Sequence, residues 1–146
     1  MRHILVVGIG TGNPEHLTVQ AINALNRADV LFVPTKGQKK ADLAEVRREI
    51  IARYVTNPES RTVEFSLPVR RVEGRSYVGG VDEWHAAIAE TYVRLFAEEV
   101  PEGGTAGLLV WGDPMLYDST LRILERVKAT GQVAFDIEVI PGITSI

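Results

Sequence analysis

Cysteine is absent from all 146 residues, which excludes a disulfide framework, a thiolate metal site and a cysteine nucleophile. No run of roughly 18 apolar residues occurs, so no segment reads as a membrane-spanning helix. The opening Met1 to Gly10 reads poorly as a secretory leader, because its apolar stretch is short, runs into glycines and has no small-residue cleavage site. An excess of positive charge is missing too. Lys and Arg number 16 against 19 Asp and Glu, a net charge of −3, whereas phosphate binding needs a concentrated basic face. The three histidines, His3, His16 and His85, are scattered without metal-ligand spacing. A cytoplasmic protein with neither nucleic acid nor membrane as partner is the expectation.

What is present is ordinary globular material, 45% hydrophobic and 24% charged, enough to bury a core. Ile4 to Val7 reads as a buried strand entering the cluster Gly8, Gly10, Gly12. The spacing of Leu17, Ala21, Ile22 and Leu25 predicts a helix over Glu15 to Asn26, with Asn13 or Thr18 as cap. Val30 to Val33 reads as a second buried strand, closed by Pro34. Leu43, Val46, Ile50 and Ile51 predict an amphipathic helix over Asp42 to Tyr54, with Arg47, Arg48 and Glu49 on its wet side. Further strands are expected over Thr62 to Leu67, Gly107 to Trp111 and Phe135 to Ile140, and helices over Val81 to Val100 and Ser119 to Lys128. Strands alternating with helices give an α/β fold, a mostly parallel five-stranded sheet with helices on both faces. Residues 1–140 are expected to form this domain. Residues 141–146 are expected to begin the connection to a second α/β domain that this chain lacks.

In an open parallel sheet, ligands bind where strands deliver their carboxyl ends. Three strand ends here carry backbone-permissive loops: Gly8 to Pro14, Gly112-Asp113-Pro114, and Pro141 to Ser145. Glycine lets the backbone approach a ligand closely, with its amides as donors. The first loop fails the dinucleotide fingerprint, because Asn13 occupies the sixth position and Asp29 begins rather than ends the second strand. It also fails as a P-loop, since no Gly-Lys-Ser/Thr follows.

Taken together, the three loops resemble the tetrapyrrole (corrin/porphyrin) methyltransferases. That family usually opens Val-Gly-x-Gly-Pro-Gly-x-Pro-x-x-Leu-Thr, then Ala-x-x-x-Leu, then Ala-Asp-Val; here the segment runs from Val6 to Pro34. Gly112 to Tyr117 is similar to its Gly-Asp-Pro loop, and Val139 to Ser145 to its Val-x-Pro-Gly-x-Ser/Thr-Ser/Ala segment. The segment from Trp111 to Arg122 and the run Val33 to Gly37 resemble one branch of cobalamin biosynthesis, whose members methylate C-1 of precorrin-5 and release its two-carbon acyl group as acetate. Two departures stand out: Thr11 replaces the usual proline, and Asp118 stands where many members have glycine.

The resemblance implies the N-terminal domain of a two-domain fold, S-adenosylmethionine as cofactor and a homodimer. By correspondence it implies Thr11, Gly112, Asp113, Leu116, Thr144 and Ser145 as cofactor positions, although Asp113 reads equally as a helix N-cap or Asx-turn residue. A tetrapyrrole bears many carboxylates, so Lys36, Lys39 and Lys40 are candidate substrate contacts, with Arg70, Arg71 and Arg75 a second set. Candidate bases are His16, Tyr117 and Asp118, and Trp111 is a candidate packing surface. No metal is expected. Other readings are another precorrin methylase or another substrate of the same superfamily, or a non-catalytic ligand-binding half of the fold. On the leading reading, this chain alone should be inactive.

Overall fold

Parallel pairing joins five strands, β1 (Arg2–Gly8), β2 (Val30–Lys36), β3 (Arg61–Ser66), β4 (Thr105–Val110) and β5 (Phe135–Ile140), in the order β3-β2-β4-β1-β5. Between them run α1 (Val19–Arg27), α2 (Asp42–Tyr54), α3 (Tyr77–Glu99) and α4 (Thr120–Ala129). The computed structural model describes residues 1–36, 42–68, 77–116 and 119–144. Strand alternation sorts the β1 side chains into two cores. Ile4 and Val6, with Phe32 and Leu108, meet Tyr92, Phe96, Ile123, Leu124 and Val127 of α3 and α4. Leu5, Val7 and Ile9 meet Ala21, Ala24, Leu25 and Ile50 of α1 and α2. Cover on both faces explains why the inner strands are apolar throughout.

From β1 the chain moves toward β2, whereas from β4 it crosses β1 to reach β5. Strand order therefore reverses between β1 and β4, and such a reversal opens a crevice at the carboxyl edge.

Several local expectations are corrected. The stretch expected as one helix is two segments. Pro14–His16 forms a 3₁₀ turn, capped by Asn13 Oδ1 accepting from the Glu15 amide at 2.9 Å; Leu17 is extended, and Thr18 Oγ1 then caps α1 by accepting from the Ala21 amide at 3.0 Å. Both candidate caps are caps. Pro34 does not close β2, which continues to Lys36. β2 pairs with β4 only from Val30 to Phe32, so by Pro34 only β3 remains beside it and a missing amide is tolerated. The long helix also begins at Tyr77, a turn earlier than its apolar stripe indicates.

Arg47 is not on the wet side of α2. It is 6% exposed, and its Nε donates to the Leu109 carbonyl at 3.0 Å. The reason lies in the sheet. The Val110 carbonyl accepts from the Ile9 amide on the β1 side, so the alternating backbone turns Leu109 toward β2, which has stopped pairing at Phe32. A buried carbonyl needs a donor, and the arginine supplies it.

Candidate functional site

Glycine brings the three loops into contact at the carboxyl edge. A Cβ on Gly8 would lie 2.7 Å from both the Gly112 carbonyl oxygen and the Gly142 nitrogen. One on Gly142 would strike the Gly112 carbonyl and lie 2.9 Å from Gly8 Cα. The ends of β1, β4 and β5 thus share a junction that only bare backbone can form.

Hydrogen bonds lock it. Gly10 and Gly112 form an antiparallel bridge, with the Gly10 amide donating to the Gly112 carbonyl at 3.2 Å and the Gly112 amide returning to Gly10 at 2.8 Å. Asp113 neither caps a helix nor only bounds a turn: its Oδ1 accepts from the Gly142 amide at 3.3 Å, tying the β4 loop to the β5 loop. Trp111 lies across the first loop, its indole 2.8 Å from where a Cβ on Gly12 would stand, and Gly12 adopts a φ of +103°. Gly112, with φ of +64°, has nothing among the described residues within 4 Å of its Cβ position, so these leave open space above it.

Thr11, Gly112, Asp113, Leu116 and Thr144 all fall on these loops, and the structure brings the loops together. Ser145 lies outside the described residues, as do Tyr117, Asp118, Lys39, Lys40, Arg70, Arg71 and Arg75; Lys36 ends β2. His16 closes the 3₁₀ turn, and its Nδ1 is 2.6 Å from Thr11 Oγ1. Tyr54 Oη donates to the Pro14 carbonyl at 2.7 Å and fastens the same loop to α2.

Two groups that sequence reasoning left out support the site from behind, Tyr54 and Arg47. Position 47 lies four residues after Leu43 and three before Ile50, on the apolar stripe itself, so the helical period carried a signal that the charge concealed.

Other polar groups stand elsewhere. Asp29 sits at the amino edge, where its Oδ2 accepts from the Thr105 amide at 2.9 Å. Also toward that edge, Asp136 hydrogen-bonds His3 Nδ1 and holds its pKa above the usual 6.5, and Glu138 adds to this from Nε2 at 3.2 Å. Arg27, 2.9 Å from Glu138, holds that carboxyl below its usual 4.5, with His3 assisting. His85 packs beside Trp84, whose Nε1 donates to the Pro68 carbonyl at 2.7 Å. Among the described residues, no three His, Asp or Glu side chains are grouped to hold a metal ion.

The family model described as tetrapyrrole (corrin/porphyrin) methylases matches residues 3–146. The chain is 70% identical over 146 residues to a precorrin-6A synthase [deacetylating] of Sinorhizobium sp, covering 100% of this chain and 56% of that protein. Among solved structures it resembles a cobalamin synthesis related protein (CobF) from Corynebacterium diphtheriae, with TM-score 0.77 and 37% identity over 99% of this chain and 55% of that one. It also shares a fold with a uroporphyrin-III C-methyltransferase from Thermus thermophilus complexed with S-adenosylhomocysteine, at TM-score 0.55 and 21% identity over 98% of this chain and 49% of that one. The chain spans about half the length of these relatives.

Proposed function

For this chain, which belongs to the tetrapyrrole (corrin/porphyrin) methylases, we propose that the full-length protein is an S-adenosylmethionine-dependent methyltransferase of cobalamin biosynthesis. Its proposed reaction is that of a deacetylating precorrin-6A synthase: C-1 of precorrin-5 is methylated and the two-carbon acyl group leaves as acetate. The single observation that carries this reading is 70% identity along the whole chain to a relative of that name. A different substrate within the superfamily, or a non-catalytic half-fold, has no comparable support.

The residues present suit the cofactor. The loops offer backbone amides, the Thr11 and Thr144 hydroxyls and the Asp113 carboxylate, with open space above Gly112. Such a set suits a ligand with a carboxylate, a ribose and an adenine edge, and it adds no positive charge beside a sulfonium. The bound cofactor supplies the methyl group by in-line displacement. Most of the acceleration in such a step comes from positioning, which is the task of rigidly joined loops. Thr11, Gly112, Asp113, Leu116, Thr144 and Ser145 are proposed to hold the cofactor, and Lys36, Lys39 and Lys40 to meet substrate carboxylates. We place residues 1–140 as the first of two domains, 141–146 as the start of the connection, and the working protein as a cytoplasmic homodimer.

Full-length protein given precorrin-5 and S-adenosylmethionine should yield acetate and a corrinoid heavier by one methyl group. Methylation without acetate would overturn the narrower reading. In calorimetry, Asp113→Ala should weaken S-adenosylhomocysteine binding by about tenfold, the equivalent of one hydrogen bond. Asp113→Asn keeps an oxygen for the Gly142 amide and should bind more tightly than Asp113→Ala.

A further inference from the structure

Position 11 departs from the family's usual proline, and the structure gives the departure a partner. The 3₁₀ turn at Pro14–His16 folds the first loop back, bringing Thr11 Oγ1 within 2.6 Å of His16 Nδ1. Proline has no hydroxyl to offer there. The pair sits against the three-loop junction, because a Cβ on Gly10 would lie 3.1 Å from the His16 carbonyl oxygen and 3.6 Å from His16 Cβ, and Gly10 is bridged to Gly112. The Asn13 cap and the Tyr54 hydroxyl on Pro14 hold the turn in place. Thr11 and His16 are both exposed, so the imidazole is engaged on one nitrogen and accessible on the other.

We propose that His16, oriented by Thr11, is the general base of the deacylating half of the reaction. The proposal rests on the reading that this protein releases acetate. In the arrangement proposed, His16 Nδ1–H donates to the Thr11 hydroxyl, which leaves the lone pair on Nε2. Nε2 takes a proton from water as the water oxygen bonds to the acyl carbonyl carbon. The bond from that carbon to the ring then breaks, and its electron pair enters the conjugated ring. The ring takes back the proton held on His16. Water and acylated ring become acetic acid and a ring carbon bearing hydrogen, with nothing oxidised or reduced.

The test uses full-length protein, precorrin-5 and S-adenosylmethionine, with acetate release and S-adenosylhomocysteine affinity measured separately. His16→Ala should slow acetate release by about 10²- to 10⁴-fold, the usual contribution of a positioned base. Its S-adenosylhomocysteine affinity should stay within about threefold, since a base for water makes no contribution to holding the cofactor. Imidazole added to His16→Ala should restore part of the rate, which a purely structural histidine would not allow. Acetate release within about threefold of wild type, or no response to imidazole, overturns the assignment. If wild-type protein methylates a corrinoid without releasing acetate, the functional reading itself fails and the role of His16 falls with it.

Discussion

Two missing Cβ atoms, on Gly8 and Gly142, make the junction possible, and each can be tested singly. In Gly142→Ala the new carbon would meet the Gly112 carbonyl and Gly8 Cα, both backbone, so no side chain can swing away. Overpacking of this kind costs about 1–3 kcal/mol. The full-length variant should bind S-adenosylhomocysteine at least about tenfold more weakly. Gly131 is the contrast, with φ of +69° and nothing among the described residues within 4 Å of its Cβ position. Gly131→Ala carries only the left-handed penalty of about 1 kcal/mol and should leave affinity unchanged. At the other edge, His3 gives a pH signature. Its pKa is raised, first by the Asp136 hydrogen bond, so its stabilisation is full below the unfolded value of 6.5 and is lost as pH rises through the folded value. The Glu138 pKa is lowered, first by Arg27, so its contribution is present above 4.5 and is lost as pH falls through its folded value. Full-length His3→Gln should therefore be less stable than wild type near pH 5.5 and should approach it near pH 8.5. Urea midpoints at the two pH values decide; an equal deficit at both would remove the titration from the account.

Among the elements, the decisive event is the parting of β2 from β4 after Phe32. It leaves the Leu109 carbonyl without a strand partner, and α2 repairs the gap with Arg47. Arg47→Met preserves much of the packing but removes the donor. An unsatisfied buried carbonyl costs about 1–3 kcal/mol, so the denaturant midpoint should fall with little change in slope. A midpoint unchanged from wild type would show that the carbonyl finds another donor. The same region shows what the sequence can and cannot disclose. Strands, helices and the three loops are legible because each leaves a local mark: apolar runs over Ile4 to Val7 and Val30 to Val33, helical spacing, glycine or proline at the strand ends. The loops' meeting is legible only through the rule that parallel strands deliver their ends to one edge. Asn13 and Thr18 were both readable as caps, and two caps five residues apart imply two helical segments rather than one. The parting of β2 and β4 leaves no local mark, because it is set by pairing between distant segments. Arg47 follows from that parting, so its charge misdirects any reading confined to α2. Likewise the Gly142 amide on Asp113 joins residues 29 apart, which no spacing announces.

For the molecule as a whole, apolar exposure is unevenly placed. Among the described residues, the large exposed hydrophobic side chains are Met1, Val19, Trp111, Met115, Leu116 and Ile143. All but Met1 border the carboxyl edge, where the three loops end and α1 begins. Met115 is 68% exposed and Trp111 37%, beside the open space above Gly112. Apolar groups gathered in this way mark a surface that is covered when the protein works. The relatives are nearly twice as long as this chain, which covers 56% of the Sinorhizobium protein. On the proposed function, the cover is the remainder of the full-length protein, with the methyl donor held between the two walls. A polypeptide of residues 1–146 should then bind S-adenosylhomocysteine at least about 100-fold more weakly than the full-length protein, a loss of about 2.7 kcal/mol. Trp111 reports the same event optically. The other tryptophan, Trp84, is anchored through Nε1 to the Pro68 carbonyl, so the difference between wild type and Trp111→Phe isolates the emission of Trp111. That component should be red-shifted in the short polypeptide, blue-shifted in the full-length protein, and moved again by S-adenosylhomocysteine. Equal affinity in the two polypeptides would mean that one wall suffices, and the exposed rim would then need another explanation.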